Sequence, residues 1–193
     1  MRLPSPFPLF TLPVLALLST VLAVGDEMNL VNLHVDKFTV VGFEARTSNA
    51  QEMNGDGPIS KLWGRLQSEN FLTQIPNRVD RHMDTRIVAV YSDYQSDKDG
   101  PYTYLLGAKV SSPKDVPPGM VSRTVVSGTY AMFTAEGGPP PEMVVNLWKR
   151  IWSLEKPDRL HRAYKTDYEV HYSGSKDPVA AHVDVYIGVQ EKR

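Results

Sequence analysis

Cysteine is absent from the 193-residue chain. That removes disulfides, thiolate nucleophiles and zinc–thiolate sites together, and it leaves the redox compartment open. Net charge is nearly absent too: 21 basic residues stand against 22 acidic ones, so no global field draws the protein to nucleic acid or to an anionic membrane. Several chemical signatures are also missing. Gly55-Asp56-Gly57 precedes a helical segment but lacks the Gly-Lys-Ser/Thr ending of a phosphate loop. Asp97 and Asp99 before Gly100 lack the closing glutamate of a calcium loop, and no helical His-x-x-x-His or nucleophile elbow occurs. No cofactor or metal is expected. Nor is there room before residue 35 for a helix-turn-helix, or a basic recognition helix elsewhere.

Long hydrophobic runs are scarce as well, with one exception. LFTLPVLALLSTVLAV, Leu9 to Val24, is uncharged, follows a lone Arg2 and ends near Val21-Leu22-Ala23. Residues 1–27 therefore read as a signal peptide removed near residue 23, which would send the mature chain to the periplasm or outside the cell. Pro13 and the acidic pair Asp26-Glu27 argue against a stable membrane span. The alternative is a start assigned too early, with Met28 the true beginning and a cytoplasmic protein. Either way the folded part is 28–193, long enough for one domain with a core and a pocket.

What is present is a repeat. A strand-like KFTVVGFEAR (37–46) leads through a Gly/Asn-rich loop to a helix opened by Pro58, with Ile59, Leu62, Trp63 and Leu66 on one stripe. RIVAVYSDY and YTYLLGAKV follow as strands joined through Asp99-Gly100. The second half repeats the order: GTYAMFTAEG (128–137), a helix opened by Pro141 with Val144, Leu147, Trp148 and Ile151 on one stripe, then DYEVHYSG and AHVDVYIGV. Tyr91-Ser92 aligns with Tyr172-Ser173, and Leu106-Gly107 with Ile187-Gly188, at a common offset of 81 residues. The expectation is an α+β fold: a duplicated β-α-β-β module, about 35–110 and 120–190, forming one antiparallel sheet with two helices and a central groove. Two helices cover one sheet face, and self-association is one way to cover the other.

DYEVHY (167–172) has faces that disagree. Tyr168, Val170 and Tyr172 point one way, and Asp167, Glu169 and His171 the other. In HVDVYIGV the same alternation groups His182, Asp184 and Tyr186 against Val183, Val185, Ile187 and Val189. From the residues alone, Glu169 reads as a rim carboxylate, or the partner of Arg159, Arg162 or Lys165, ahead of a ligand group.

The segments FTVVGFEART, YSDYQSDKDGPYTYLLGAKV, GTYAMFTAEGG, LWKRIWSL and the pair DYEV with HVDVYIGV resemble the integron-associated effector-binding proteins. Those are stand-alone members of the superfamily of GyrI-like domains that also occur on AraC-type and MerR-type multidrug regulators. The resemblance implies a duplicated strand-helix-strand-strand fold that binds amphipathic, often cationic, small molecules in an aromatic groove with a glutamate at its base. It maps that glutamate onto Glu169, and the acid and tyrosine of the last strand onto Asp184 and Tyr186. His171 shares the Glu169 face. Trp63 and Trp148 read first as core and second as groove wall, and Tyr130 and Phe133 are candidate wall residues. The alternative reading is a hydrolase of electrophilic toxins, with Glu169 as general base and Tyr186 as proton donor.

Overall fold

A computed structural model describes residues 31–80, 86–156, 159–172 and 181–191. The leader at 1–27 lies outside them. Eight strands are present among the described residues: β1 (Val31–Val35), β2 (Phe38–Thr47), β3 (Arg86–Ser92), β4 (Tyr102–Val110), β5 (Val121–Val125), β6 (Gly128–Glu136), β7 (Arg162–Tyr172) and β8 (His182–Val189). The helices are α1 (Asn49–Met53), α2 (Ile59–Glu69) and α3 (Pro140–Glu155). α1 is capped by Ser48, whose hydroxyl accepts from the Gln51 N–H at 3.3 Å. α2 ends at Asn70, which takes the left-handed conformation with φ 45°, a role its short polar side chain tolerates. Among the described helices none is long and apolar enough to cross a membrane.

All eight strands form one antiparallel sheet in the order β1-β6-β8-β7-β3-β4-β2-β5. The α+β duplication expected from the sequence is there, with the halves β5-β2-β4-β3 and β1-β6-β8-β7 meeting between β3 and β7. The repeating unit has one more strand than the sequence pattern suggested, and that strand is exchanged. β1, which opens the first half, pairs with β6 of the second, while β5 opens the second half and pairs with β2 of the first. Both strands are only five residues long with mixed polarity, too weak a period-two signal to stand out.

The register corrects one alignment. Tyr91 lies opposite Asp167 on β7, so it points to the same face as Glu169. Tyr172, an odd number of residues from Asp167, points to the other face. A two-fold axis normal to the sheet preserves faces, so Tyr91 cannot superimpose on Tyr172. Leu106 and Ile187, in contrast, share the helix face, being opposite Ala89 and Asp167 respectively.

The helix face carries the larger core. Val41, Phe43, Leu106, Ala131, Phe133, Val185 and Ile187 from the strands pack against Leu62 and Leu66 of α2 and Leu147, Trp148 and Ile151 of α3. The opposite face is covered without a second chain. Only Asp36 and Lys37 separate β1 from β2, and only Val126 and Ser127 separate β5 from β6, so the two edges of the sheet are drawn together and the sheet curls. The Phe38 ring consequently meets Tyr168 edge-on at 5.2 Å, although β4 and β3 lie between their strands. Val40, Val88, Val90, Leu105, Val125 and Tyr130 join them in a second, concave core. The curl needs a close backbone approach at Gly42 and Gly107, which pair directly. A Cβ on Gly107 would stand 1.9 Å from the Val41 carbonyl oxygen.

Candidate ligand-binding site

The join between the halves, on the helix face, is built around Glu169. It sits in the middle of β7 opposite Ala89 on β3 and Val185 on β8, and it is only 2 % exposed. Ala89 is the small residue that leaves room beside it. Three donors converge on the carboxylate. Tyr91 donates its hydroxyl to Oε1 at 2.7 Å, the Trp148 indole N–H donates to the same oxygen at 2.6 Å, and His171 Nε2 lies 2.7 Å from Oε2. Trp63 of α2 stacks at a tilt on His171 with ring centroids 4.7 Å apart, and donates its indole N–H to Tyr104 at 3.0 Å. Tyr91 in turn contacts Tyr102, Tyr104 and Trp148, with centroids 5.5, 5.1 and 5.0 Å away. One carboxylate is thus enclosed by indole, phenol and imidazole rings from both halves.

The electrostatics follow from burial and these donors. Burial disfavours the carboxylate, but the hydrogen bond and charge of His171, then the hydrogen bonds from Trp148 and Tyr91, outweigh it and hold Glu169 below the usual range. Burial, then the Glu169 charge, pushes the Tyr91 phenol well above its ordinary value, so it stays a donor at neutral pH. Among the described residues no arginine pairs with Glu169. Arg162 pairs with Asp167 at 2.5 Å and with Glu155 at 3.3 Å, both on the α3 side of β7. Asp167 also accepts from Tyr94 at 2.6 Å and from the Gly188 N–H at 2.8 Å. That bulged segment, with Tyr164 at φ 51°, is a structural ion-pair network, and the Arg162 partner expected for Glu169 belongs to Asp167.

The sequence-derived site residues divide between the two faces. Glu169, His171, Trp63 and Trp148 come together, and both indoles are at once core and wall. Phe133 shares their face but sits two strands from Glu169, in line across Val185. Asp184, Tyr186 and Tyr130 lie on the concave face, because Asp184 is opposite Val170 and Tyr186 opposite Tyr168. Asp184 accepts from Thr134 at 2.7 Å and Tyr172 at 2.9 Å, with His182 Nε2 3.0 Å away. Tyr130 ties the β5–β6 link to β7 through Val126 and Thr166, each at 2.8 Å. The joint acid pair Glu169–Asp184 is therefore not formed. Alternation within each strand was readable, but the phase between β7 and β8 is set by their pairing, which no single strand encodes. Tyr91, Tyr102 and Tyr104 are the residues that sequence reasoning missed. Their signal was available: tyrosines at alternate positions of YTY, facing the strand that carries Tyr91.

Fold and site together define a small-molecule binding domain built from two pseudo-equivalent halves. The model of the GyrI-like small molecule binding domain matches residues 28–190, and the chain belongs to that family. It is 30 % identical over 159 residues to YobU of Bacillus subtilis (strain 168), covering 82 % of this chain and 96 % of that one. Among solved structures, the integron cassette protein VCH_CASS2 from the mobile metagenome of Vibrio cholerae aligns with TM-score 0.66 and 28 % identity over 83 % of this chain and 95 % of its own. SAV2435, solved bound to tetraphenylphosphonium, also aligns with TM-score 0.66, at 15 % identity over 84 % of this chain and 94 % of its own. At that identity the likeness is one of fold.

Proposed function

We propose that the protein binds hydrophobic cations between α2 and α3, with Glu169 as the counter-charge. The observation that carries this reading is a fully buried carboxylate held by the Tyr91 hydroxyl, the Trp148 indole and the partly exposed His171 imidazole, with no arginine or lysine committed to it among the described residues. The donors keep the carboxylate ionised, and His171 holds the one face of it that a ligand cation could take over. A delocalised cation is the best fit, because its weak hydration is readily lost and each ring face adds roughly 0.5–2 kcal/mol. Flat walls of tyrosine and tryptophan reward size and charge more than shape, which gives loose selectivity. SAV2435 supports the reading, since it shares the fold and holds tetraphenylphosphonium.

Entry follows the least buried side of the cluster. The His171 side chain is 13 % exposed and lies under Trp63, which is itself partly exposed. Trp63 and His171 turning outward would open a path to Oε2. The test uses tetraphenylphosphonium and neutral triphenylphosphine oxide with wild type and Glu169→Gln, read by calorimetry. The cation should lose roughly a hundredfold in affinity while the neutral ligand loses much less. Equal losses, or none for the cation, would return Glu169 to a structural role.

A further inference from the structure

The concave face has its own opening. At one end of the curled sheet lies a cleft of about 570 Å³ whose aromatic lining is Phe38, Tyr168, Tyr172 and Tyr186. That volume suits a two- or three-ring organic molecule, and barrel mouths are a usual place for one. We propose that this cleft is a second binding site, for uncharged planar aromatic ketones, independent of the Glu169 site on the other face of the sheet.

Two observations set the ligand class, and the first is a pair of unused donors. Tyr168 and Tyr186, opposite one another on β7 and β8, stack at 4.4 Å with their planes 5° from parallel. Tyr168 is only 5 % exposed, and neither hydroxyl has a hydrogen-bond partner among the described residues. Both nevertheless reach the cleft, because the side-chain polar atoms sealed off without a partner among the described residues belong to Ser92, Trp152 and Arg162. Burial pushes both phenols above their usual range, so both keep their protons. The remaining phenol of the lining, Tyr172, already donates to Asp184 at 2.9 Å. A donor held in an apolar setting without a partner costs free energy that a ligand acceptor recovers. Its complement is a flat ring system to pack on the tyrosine pair, bearing a carbonyl oxygen whose two lone pairs can accept from both hydroxyls.

The second observation is the balance of charge. The charged residues of the lining are two acids, Asp36 and Asp80, and two bases, Arg86 and Lys109. Their signs cancel, so the cleft offers an ionic ligand no net attraction to offset the cost of desolvating its charge. An uncharged ketone has no such cost.

The experiment titrates the full chain, by fluorescence, with 6-propionyl-2-dimethylaminonaphthalene, an uncharged ketone whose emission responds to hydrogen bonding, and separately with 2-dimethylaminonaphthalene, the same rings without the carbonyl. Tyr168→Phe combined with Tyr186→Phe keeps both rings and removes both hydroxyls. The ketone should bind this double variant about tenfold more weakly, the loss expected for two neutral hydrogen bonds, while the carbonyl-free compound binds both proteins alike. Val79→Trp is the blocking variant. Val79 lines the cleft and is 47 % exposed, so a larger side chain there narrows the opening, leaves the core intact and should weaken both compounds. Glu169→Gln and excess tetraphenylphosphonium should leave ketone binding unchanged, which separates this site from the other. No ketone binding, equal losses for the two compounds in the double variant, unchanged binding in Val79→Trp, or displacement by tetraphenylphosphonium would each overturn the proposal.

Discussion

His171 and Glu169, two residues apart on β7, face the same way and are joined at 2.7 Å beneath the Trp63 ring. Under the proposed function the imidazole occupies the carboxylate face that a ligand cation would take, so it competes with the ligand. His171→Ala should lower the melting temperature of the free protein by roughly 5 °C, since a buried charged acceptor loses a donor. The same variant should bind tetraphenylphosphonium up to about tenfold more tightly, because the internal contact no longer has to be broken. Calorimetry and melts with and without ligand check both signs. An unchanged affinity would show that the imidazole is not a competitor.

Acid should destabilise the fold through Glu169. Its carboxyl titrates lower in the folded chain than the ordinary value of 4.5, so the unfolded state binds its proton first. The stability it contributes is present above pH 4.5 and is lost as pH falls through the folded value. Asp80, also lowered, adds to the same limb. In urea unfolding from pH 7 to pH 3, Glu169→Gln should therefore show a shallower acid limb than wild type. Parallel curves would mean that the donors do not favour the charged form.

Arg162 and Asp167 form the buried ion pair at 1 % and 0 % side-chain exposure. Arg162→Met leaves Asp167 and Glu155 without their cation, and unfolding free energy should fall by about 3–5 kcal/mol. Cation binding at Glu169 should survive in the fraction that remains folded, because Arg162 makes no bond to that carboxylate. A loss below about 1 kcal/mol would show that Tyr94 and the Gly188 N–H suffice for Asp167.

Two glycines should respond with opposite signs. Gly107→Ala places a methyl against the Val41 carbonyl and should destabilise by more than about 2 kcal/mol or prevent folding. Gly64, inside α2, has nothing within 4 Å of a built Cβ, so Gly64→Ala should stabilise by about 0.5–1 kcal/mol through helix propensity. Chemical denaturation of the two variants side by side gives the comparison.

The amphipathic stripes of α2 and α3, the period-two strands and the 81-residue echo are local patterns, and they determined the α+β class, the duplication and the positions of α2 and α3, while α1 formed where a Gly/Asn-rich loop was expected. The two tryptophans were legible from their helical stripes, whereas Glu169 became the site's acid only through the resemblance carried by DYEV. The exchange of β1 and β5, the curl that brings Phe38 onto Tyr168, and the separation of Glu169 from Asp184 were decided only in three dimensions. Each depends on which strand pairs with which and in what phase. A shift of one residue inverts every side chain on a strand, yet leaves its own pattern unchanged.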